Sequence, residues 1–153
     1  MNSTVERCLA IAAATGAFSP AEITVLGEVL AEWALRPGRD YFLLTGERDG
    51  VTAGFIIFGP APMTEFAFDL YWIAVDPTFQ KKGTGRLLEA KMCSALLEKS
   101  HRAVIRTETS GREDYRGQRL FYLAAGYGEC GRIQDFYREG DDLVLYCKKI
   151  GEQ

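Results

Sequence analysis

Asp69-Leu70-Tyr71-Trp72-Ile73-Ala74-Val75-Asp76-Pro77-Thr78-Phe79-Gln80-Lys81-Lys82-Gly83-Thr84-Gly85-Arg86-Leu87-Leu88 reads as an apolar strand, a short basic loop and the opening of a helix. The strand stops at Asp76-Pro77. A turn of this kind aims backbone N–H groups, and the positive end of the helix dipole, at one spot. Gly83 and Gly85 let a ligand approach the backbone closely, and Lys81, Lys82 and Arg86 add mobile positive charge. That combination suits a pyrophosphate.

The hexapeptide Gln80-Lys81-Lys82-Gly83-Thr84-Gly85 follows Tyr71-Trp72-Ile73-Ala74-Val75-Asp76-Pro77 and precedes Leu87-Leu88. The whole resembles the cofactor motif of the GCN5-related N-acetyltransferases (GNAT), Gln/Arg-x-x-Gly-x-Gly/Ala between an apolar strand and a helix. The resemblance implies acetyl-CoA as cosubstrate, its pyrophosphate held by Gln80, Lys81, Lys82, Gly83, Thr84, Gly85 and Arg86. It also implies that the strand splays from a parallel neighbour. The pantetheine arm would then pair with backbone groups of Ile73, Ala74 and Val75, and an N–H near Ile73 would stabilise the oxyanion.

Local signals place the other elements. Residues 5–14 read as a helix. Ser19, Pro20 and Glu22 mark a second one with a capping box, Phe18 and Ile23 sit where a hydrophobic staple would, and Pro37-Gly38 ends it. Residues 41–48 and 51–58 read as strands joined by an Asp49-Gly50 hairpin turn. Gly59-Pro60-Ala61-Pro62 breaks the chain, and residues 66–75 form a central strand. A helix over 84–100, a parallel strand over 103–109, a helix over 114–125 and strands over 129–136 and 143–149 complete the order. The fold class is α/β: a single-domain acyl-CoA N-acyltransferase (GNAT) fold over residues 1–153, with a mixed, mostly antiparallel sheet, one parallel splayed pair and flanking helices. The family normally begins with a strand. This sequence opens almost directly with a helix, so that first strand is expected to be absent or truncated.

Arg119-Leu120-Phe121-Tyr122-Leu123-Ala124-Ala125-Gly126-Tyr127 resembles the family's second signature, an aromatic pair before a Gly-aromatic helix end. Tyr122 matches the tyrosine that often protonates the departing CoA thiolate. Read without the family, it is a core aromatic on an amphipathic helix. The family often has Asn seven residues earlier, where Tyr115 stands here. Two acids are candidates for the base that takes the amine proton. Asp69 occupies the place of the glutamate base in the histone-acetylating branch, and Glu108 ends the parallel strand; either could act through water or serve as a structural acceptor. The acids and aromatics of residues 135–142 read as a solvated hairpin loop, with a cation-favouring part of the acceptor pocket as the alternative.

The 153 residues suit one domain with one core, and a net charge of −3 argues against a broad nucleic-acid or anionic-membrane surface. The four cysteines lack metal-ligand spacing and read as reduced thiols; His101 is the sole histidine, which disfavours a His-based metal site, so no metal is expected. The apolar run after Arg7 is short for a signal peptide and no stretch is long enough to span a membrane, so the expected location is cytoplasmic. A dinucleotide site is disfavoured because Leu88 stands where a third small residue belongs, and no Gly-Lys-Ser/Thr makes a Walker loop. The expectation is an N-acetyltransferase in which a primary amine attacks acetyl-CoA directly in a ternary complex. The amine belongs to a small molecule or a protein, and the family's habit of pairing through its sheet or C-terminal strands implies a homodimer. The alternative is a non-catalytic acetyl-CoA sensor or scaffold.

Overall fold

The computed structural model describes residues 2–152. Its helices are α1 (Ser3–Thr15), α2 (Pro20–Leu35), α3 (Thr84–Lys99) and α4 (Arg116–Ala124). Its strands are β1 (Phe42–Arg48), β2 (Val51–Pro60), β3 (Ala67–Val75), β4 (Arg102–Ser110), β5 (Gly128–Arg138) and β6 (Asp141–Gly151). One sheet runs in the order β1-β2-β3-β4-β6-β5. β6 pairs antiparallel with β4 along the whole of β4, whereas β3 and β4 pair in parallel over Ala67–Asp69 and Val104–Arg106 alone. This brief parallel ladder is the splayed pair expected from the sequence. The first element among the described residues is α1.

The chain resolves into two compact units. The first takes in the residues up to Pro60 together with Leu70–Ala95. Its core gathers Val5, Cys8 and Ile11 of α1, Leu26 and Leu30 of α2, Phe55 and Ile57 of β2 and Ala74 of β3. Burial pushes the Cys8 thiol up to about 11, so it is inert packing rather than a nucleophile. The capping box of α2 forms as its sequence demands: Glu22 N–H donates to Ser19 Oγ at 3.1 Å and Ser19 N–H donates to Glu22 Oε1 at 3.0 Å. Phe18 and Ile23 pack against the core beside it. At the Asp49-Gly50 turn both residues take positive φ, 52° and 79°, the type I′ geometry that matches the twist of a hairpin.

Gly46 and Gly54 face each other across β1 and β2, and α3 lies on them. A Cβ on Gly46 would meet Leu88 Cδ2 at 3.3 Å; one on Gly54 would meet the Ala74 carbonyl oxygen at 2.8 Å and Leu88 Cδ1 at 3.1 Å. The second obstacle is backbone and cannot swing aside. Gly54→Ala is therefore expected to lower stability by ~1–3 kcal/mol, the usual cost of overpacking, measurable as a shifted urea midpoint with an unchanged slope.

The second unit comprises Ala61–Asp69 and the residues from Leu96 onward. Three expectations need correction. β2 continues through Gly59-Pro60 where a break was predicted, because a proline at the end of a strand forfeits no needed ladder bond; Ala61 N–H still donates to Ala67 O at 2.9 Å. Residues 135–142 are a mostly exposed hairpin, as expected, but most of them lie in its strands rather than in its loop. β5 runs to Arg138 and β6 starts at Asp141, and the acids are engaged: Asp142 pairs with Arg132 at 3.0 Å, and Asp141 accepts from Ser110. Finally, Cys130 and Cys147 form a disulfide rather than two reduced thiols. Gly128 is opposite Cys147, and the register shift between Glu129 and Gly131 carries Cys130 to a Cα–Cα separation of 6.1 Å, within disulfide range. Cys8 and Cys93 are not part of a disulfide. No described helix is long and apolar enough to cross a membrane.

Candidate active site

The first unit carries the basic loop expected to hold the pyrophosphate. β3 ends at Val75, and Asp76 caps the short 3-10 turn Pro77–Phe79 by accepting from Thr78 N–H at 2.9 Å. That bond, then the Arg7 guanidinium 2.8 Å away, hold the Asp76 carboxyl below the usual range. Arg7 also donates to Thr52 O at 2.7 Å, so α1 pins the strand end from which the loop departs. Gln80 turns back to donate its side-chain amide to Val75 O at 3.3 Å. Lys81 and Gly83 both take positive φ, 64° and 80°. Leu87 N–H bonds to Gly83 O at 3.0 Å, which makes Gly83 the residue where α3 begins. The N–H groups of the first turn lack intrahelical acceptors and converge at its end, beside Lys81, Lys82 and Arg86.

On β3, Ala74 is buried, and Asp76 N–H donates to Ala53 O of β2 at 2.7 Å. Strand alternation then turns the N–H groups of Ile73 and Val75 away from β2. This is the orientation required of a strand edge that pairs with a ligand.

Arg48, the last residue of β1, had no local signal in the sequence. Its Nη2 donates to Lys82 O at 2.7 Å, and its Nε lies 3.3 Å from Thr84 Oγ1. Thr84 is 2% exposed, so this hydroxyl is a buried polar group that Arg48 satisfies.

The second unit carries the three predicted catalytic residues, on two faces of the sheet. Tyr122 of α4 is 2% exposed, and its ring packs on Phe121, Tyr127 and Tyr146. Its hydroxyl lies 3.4 Å from Thr107 Oγ1 of β4. Next along β4, Thr109 donates to Gln118 of α4. Burial raises the Tyr122 phenol above its ordinary value of 10.0, against the opposing pull of the Thr107 and Gln118 hydrogen bonds. Tyr122 is therefore both a core aromatic and a protonated hydroxyl aimed at β4.

Arg106 and Glu108 alternate with buried Thr107 and Thr109, so they lie on the other face of β4. Asp69 sits opposite Arg106 in the parallel ladder, and Arg106 grips both its oxygens at 2.6 and 3.0 Å. The Asp69 side chain is 13% exposed and that of Arg106 54%, so the carboxylate is the sheltered partner. Glu108 is exposed and makes no hydrogen bond or ion pair among the described residues. Asp69 and Glu108 thus share a face, and Tyr122 approaches β4 from the opposite one. No group of three or more metal-ligating side chains occurs among the described residues.

Comparison with known proteins follows the same lines. The profile of the acetyltransferase (GNAT) domain matches residues 38–129. A protein from Desulfovibrio desulfuricans assigned to the GNAT acetyltransferases is 33% identical, with a TM-score of 0.91 over 97% of this chain and 93% of that one. An aminoglycoside 6′-N-acetyltransferase complexed with coenzyme A superposes with a TM-score of 0.76 at 12% identity, over 99% of this chain and 94% of that one. The ribosomal-protein-S18-alanine N-acetyltransferase of Escherichia coli does so with a TM-score of 0.72 at 20% identity, over 100% of this chain and 92% of that one. At those identities the two share the fold. No curated protein matches the sequence.

Proposed function

Because the chain belongs to the GNAT acetyltransferase family, we propose that its 153 residues act as one N-acetyltransferase domain, moving the acetyl group of acetyl-CoA to a primary amine. The observation that carries this reading is the loop at the start of α3. Gly83 at positive φ opens the helix, and four cationic side chains (Arg48, Lys81, Lys82 and Arg86) belong to or border that turn. Gln80, Lys81, Lys82, Gly83, Thr84, Gly85 and Arg86 take the pyrophosphate. The edges of Ile73, Ala74 and Val75 take the pantetheine arm, and the Ile73 N–H polarises the thioester carbonyl.

The amine attacks the thioester carbon within a ternary complex. A tetrahedral oxyanion forms and collapses, expelling the CoA thiolate, which takes a proton from Tyr122. The proton the amine loses goes to a carboxylate directly or through water. Glu108 is better suited to that task than Asp69. Its carboxylate is exposed and unpaired among the described residues, whereas Arg106 occupies both oxygens of Asp69. All the lone pairs of the Glu108 carboxylate are open to the proton, whereas Arg106 takes one on each oxygen of the more sheltered Asp69.

The test is CoA release from acetyl-CoA with a panel of amines. Enzymes of this fold are named for aminoglycoside and for ribosomal-protein alanine acceptors, so the panel includes both classes. Acetyl-CoA binding without turnover of any member would favour a sensor over an enzyme. With an acceptor in hand, Glu108→Gln is expected to lower the rate ~10²-fold where the amine is protonated, with partial recovery at higher pH. Asp69→Asn should act through lost pairing with Arg106 and leave the shape of the pH–rate profile unchanged. A reversed pattern would make Asp69 the base.

A further inference from the structure

Arg48 is held against the opening of α3 by two neutral acceptors, the Lys82 carbonyl and the Thr84 hydroxyl. Among the described residues no carboxylate pairs with it. A cation at the positive end of a helix is unfavourable by itself, and Lys81, Lys82 and Arg86 crowd the same turn. The arrangement is costly for the protein alone and becomes favourable once an anion arrives.

The bond to Lys82 does more than supply charge. No peptide among the described residues is cis, and in a trans peptide the carbonyl and the following N–H point in opposite directions. By holding the Lys82 carbonyl at 2.7 Å, Arg48 turns the Gly83 N–H away from itself, toward the opposite side of that peptide. Gly83 sits at φ 80°, where glycine could readily flip. The second contact ties the same guanidinium to Thr84, at 3.3 Å, so the two residues that flank Gly83 are fixed by one rigid fork.

Taking the proposed cofactor site as given, we infer that Arg48 is its positioning residue: it presets the Lys82–Gly83 peptide so that the Gly83 N–H is presented to the pyrophosphate. A lysine at 48 keeps the charge but lacks the fork that engages Lys82 and Thr84 together. A role in positioning and a role in charge alone therefore predict different outcomes for the conservative variant.

The experiment is calorimetric titration of acetyl-CoA into the full chain as wild type, Arg48→Lys and Arg48→Met, with the Gly83 amide followed in ¹H–¹⁵N spectra. Both variants are expected to bind about tenfold more weakly, the scale of one charge-assisted hydrogen bond. The Gly83 amide of ligand-free Arg48→Lys should be displaced from its wild-type position while the remaining spectrum is preserved. Wild-type affinity in Arg48→Lys overturns positioning and leaves a charge contribution. An unmoved Gly83 amide overturns it too, whatever the affinity. Failure of the wild type to bind acetyl-CoA would instead overturn the proposed function. If Arg48→Met does not fold, Arg48→Lys alone decides the inference.

Discussion

Gly83→Asp is expected to abolish acetyl-CoA binding in a protein that still folds. A Cβ at Gly83 meets nothing closer than Arg48 Nη2 at 4.0 Å, so the side chain has room. At φ 80° an aspartate is strained, by ~1–2 kcal/mol, but Asp tolerates this region better than most residues. Its carboxylate would lie among Arg48, Lys81 and Lys82 and neutralise the charge proposed to bind the pyrophosphate. A lost charge-assisted hydrogen bond costs ~1.5–3 kcal/mol, and repulsion between carboxylate and phosphate adds to it. Together these predict a loss of at least ~100-fold in affinity by calorimetry. Binding as tight as wild type, with an unchanged circular dichroism spectrum, would move the site elsewhere.

Tyr122→Phe is expected to lower kcat by ~10²-fold while leaving acetyl-CoA affinity nearly unchanged, at the low end for a general acid because a thiolate near pKa 8.5 is already a fair leaving group. The ring contacts with Phe121, Tyr127 and Tyr146 survive, and only the hydroxyl beside Thr107 is lost. Because burial raises this phenol, its acid form persists beyond the ordinary tyrosine value of 10.0. An alkaline decline in wild-type rate well below that value therefore belongs to another group. Steady-state kinetics decide the role. An unchanged kcat would leave Tyr122 as packing, and a loss confined to affinity would make it a cofactor contact.

What the sequence made legible were features whose determinants lie close together in the chain. Ser19 and Glu22 are three residues apart and form their capping box as read. Asp49-Gly50 dictates its own turn, and Gly83 marks where α3 starts. What could not be read depends on register between distant strands. Whether Asp69 is a base or a structural acceptor stays open in the sequence, because Arg106, 37 residues on, becomes its partner only when the parallel ladder aligns them. Cys130 and Cys147 meet only through the irregular pairing of β5 with β6. Arg48 reaches a carbonyl 34 residues away, and no local pattern announces such a target. The helix expected from residue 114 begins instead as a 3-10 turn, Glu113–Tyr115, with α4 proper from Arg116, a shift at an element end where sequence signals are weakest.

The hairpin tip at Asp49-Gly50 acquires an unusual rigidity of length from its neighbour. Exposed two-residue turns are ordinarily where homologous chains gain and lose residues freely. Here the residue before the turn holds a loop that lies far along the chain. A single inserted residue that slipped the β1–β2 pairing by one would turn Arg48 to the opposite face of the strand and strand the Lys82 carbonyl without its donor. Among descendants of this chain, indels should therefore accumulate at other surface turns before this one.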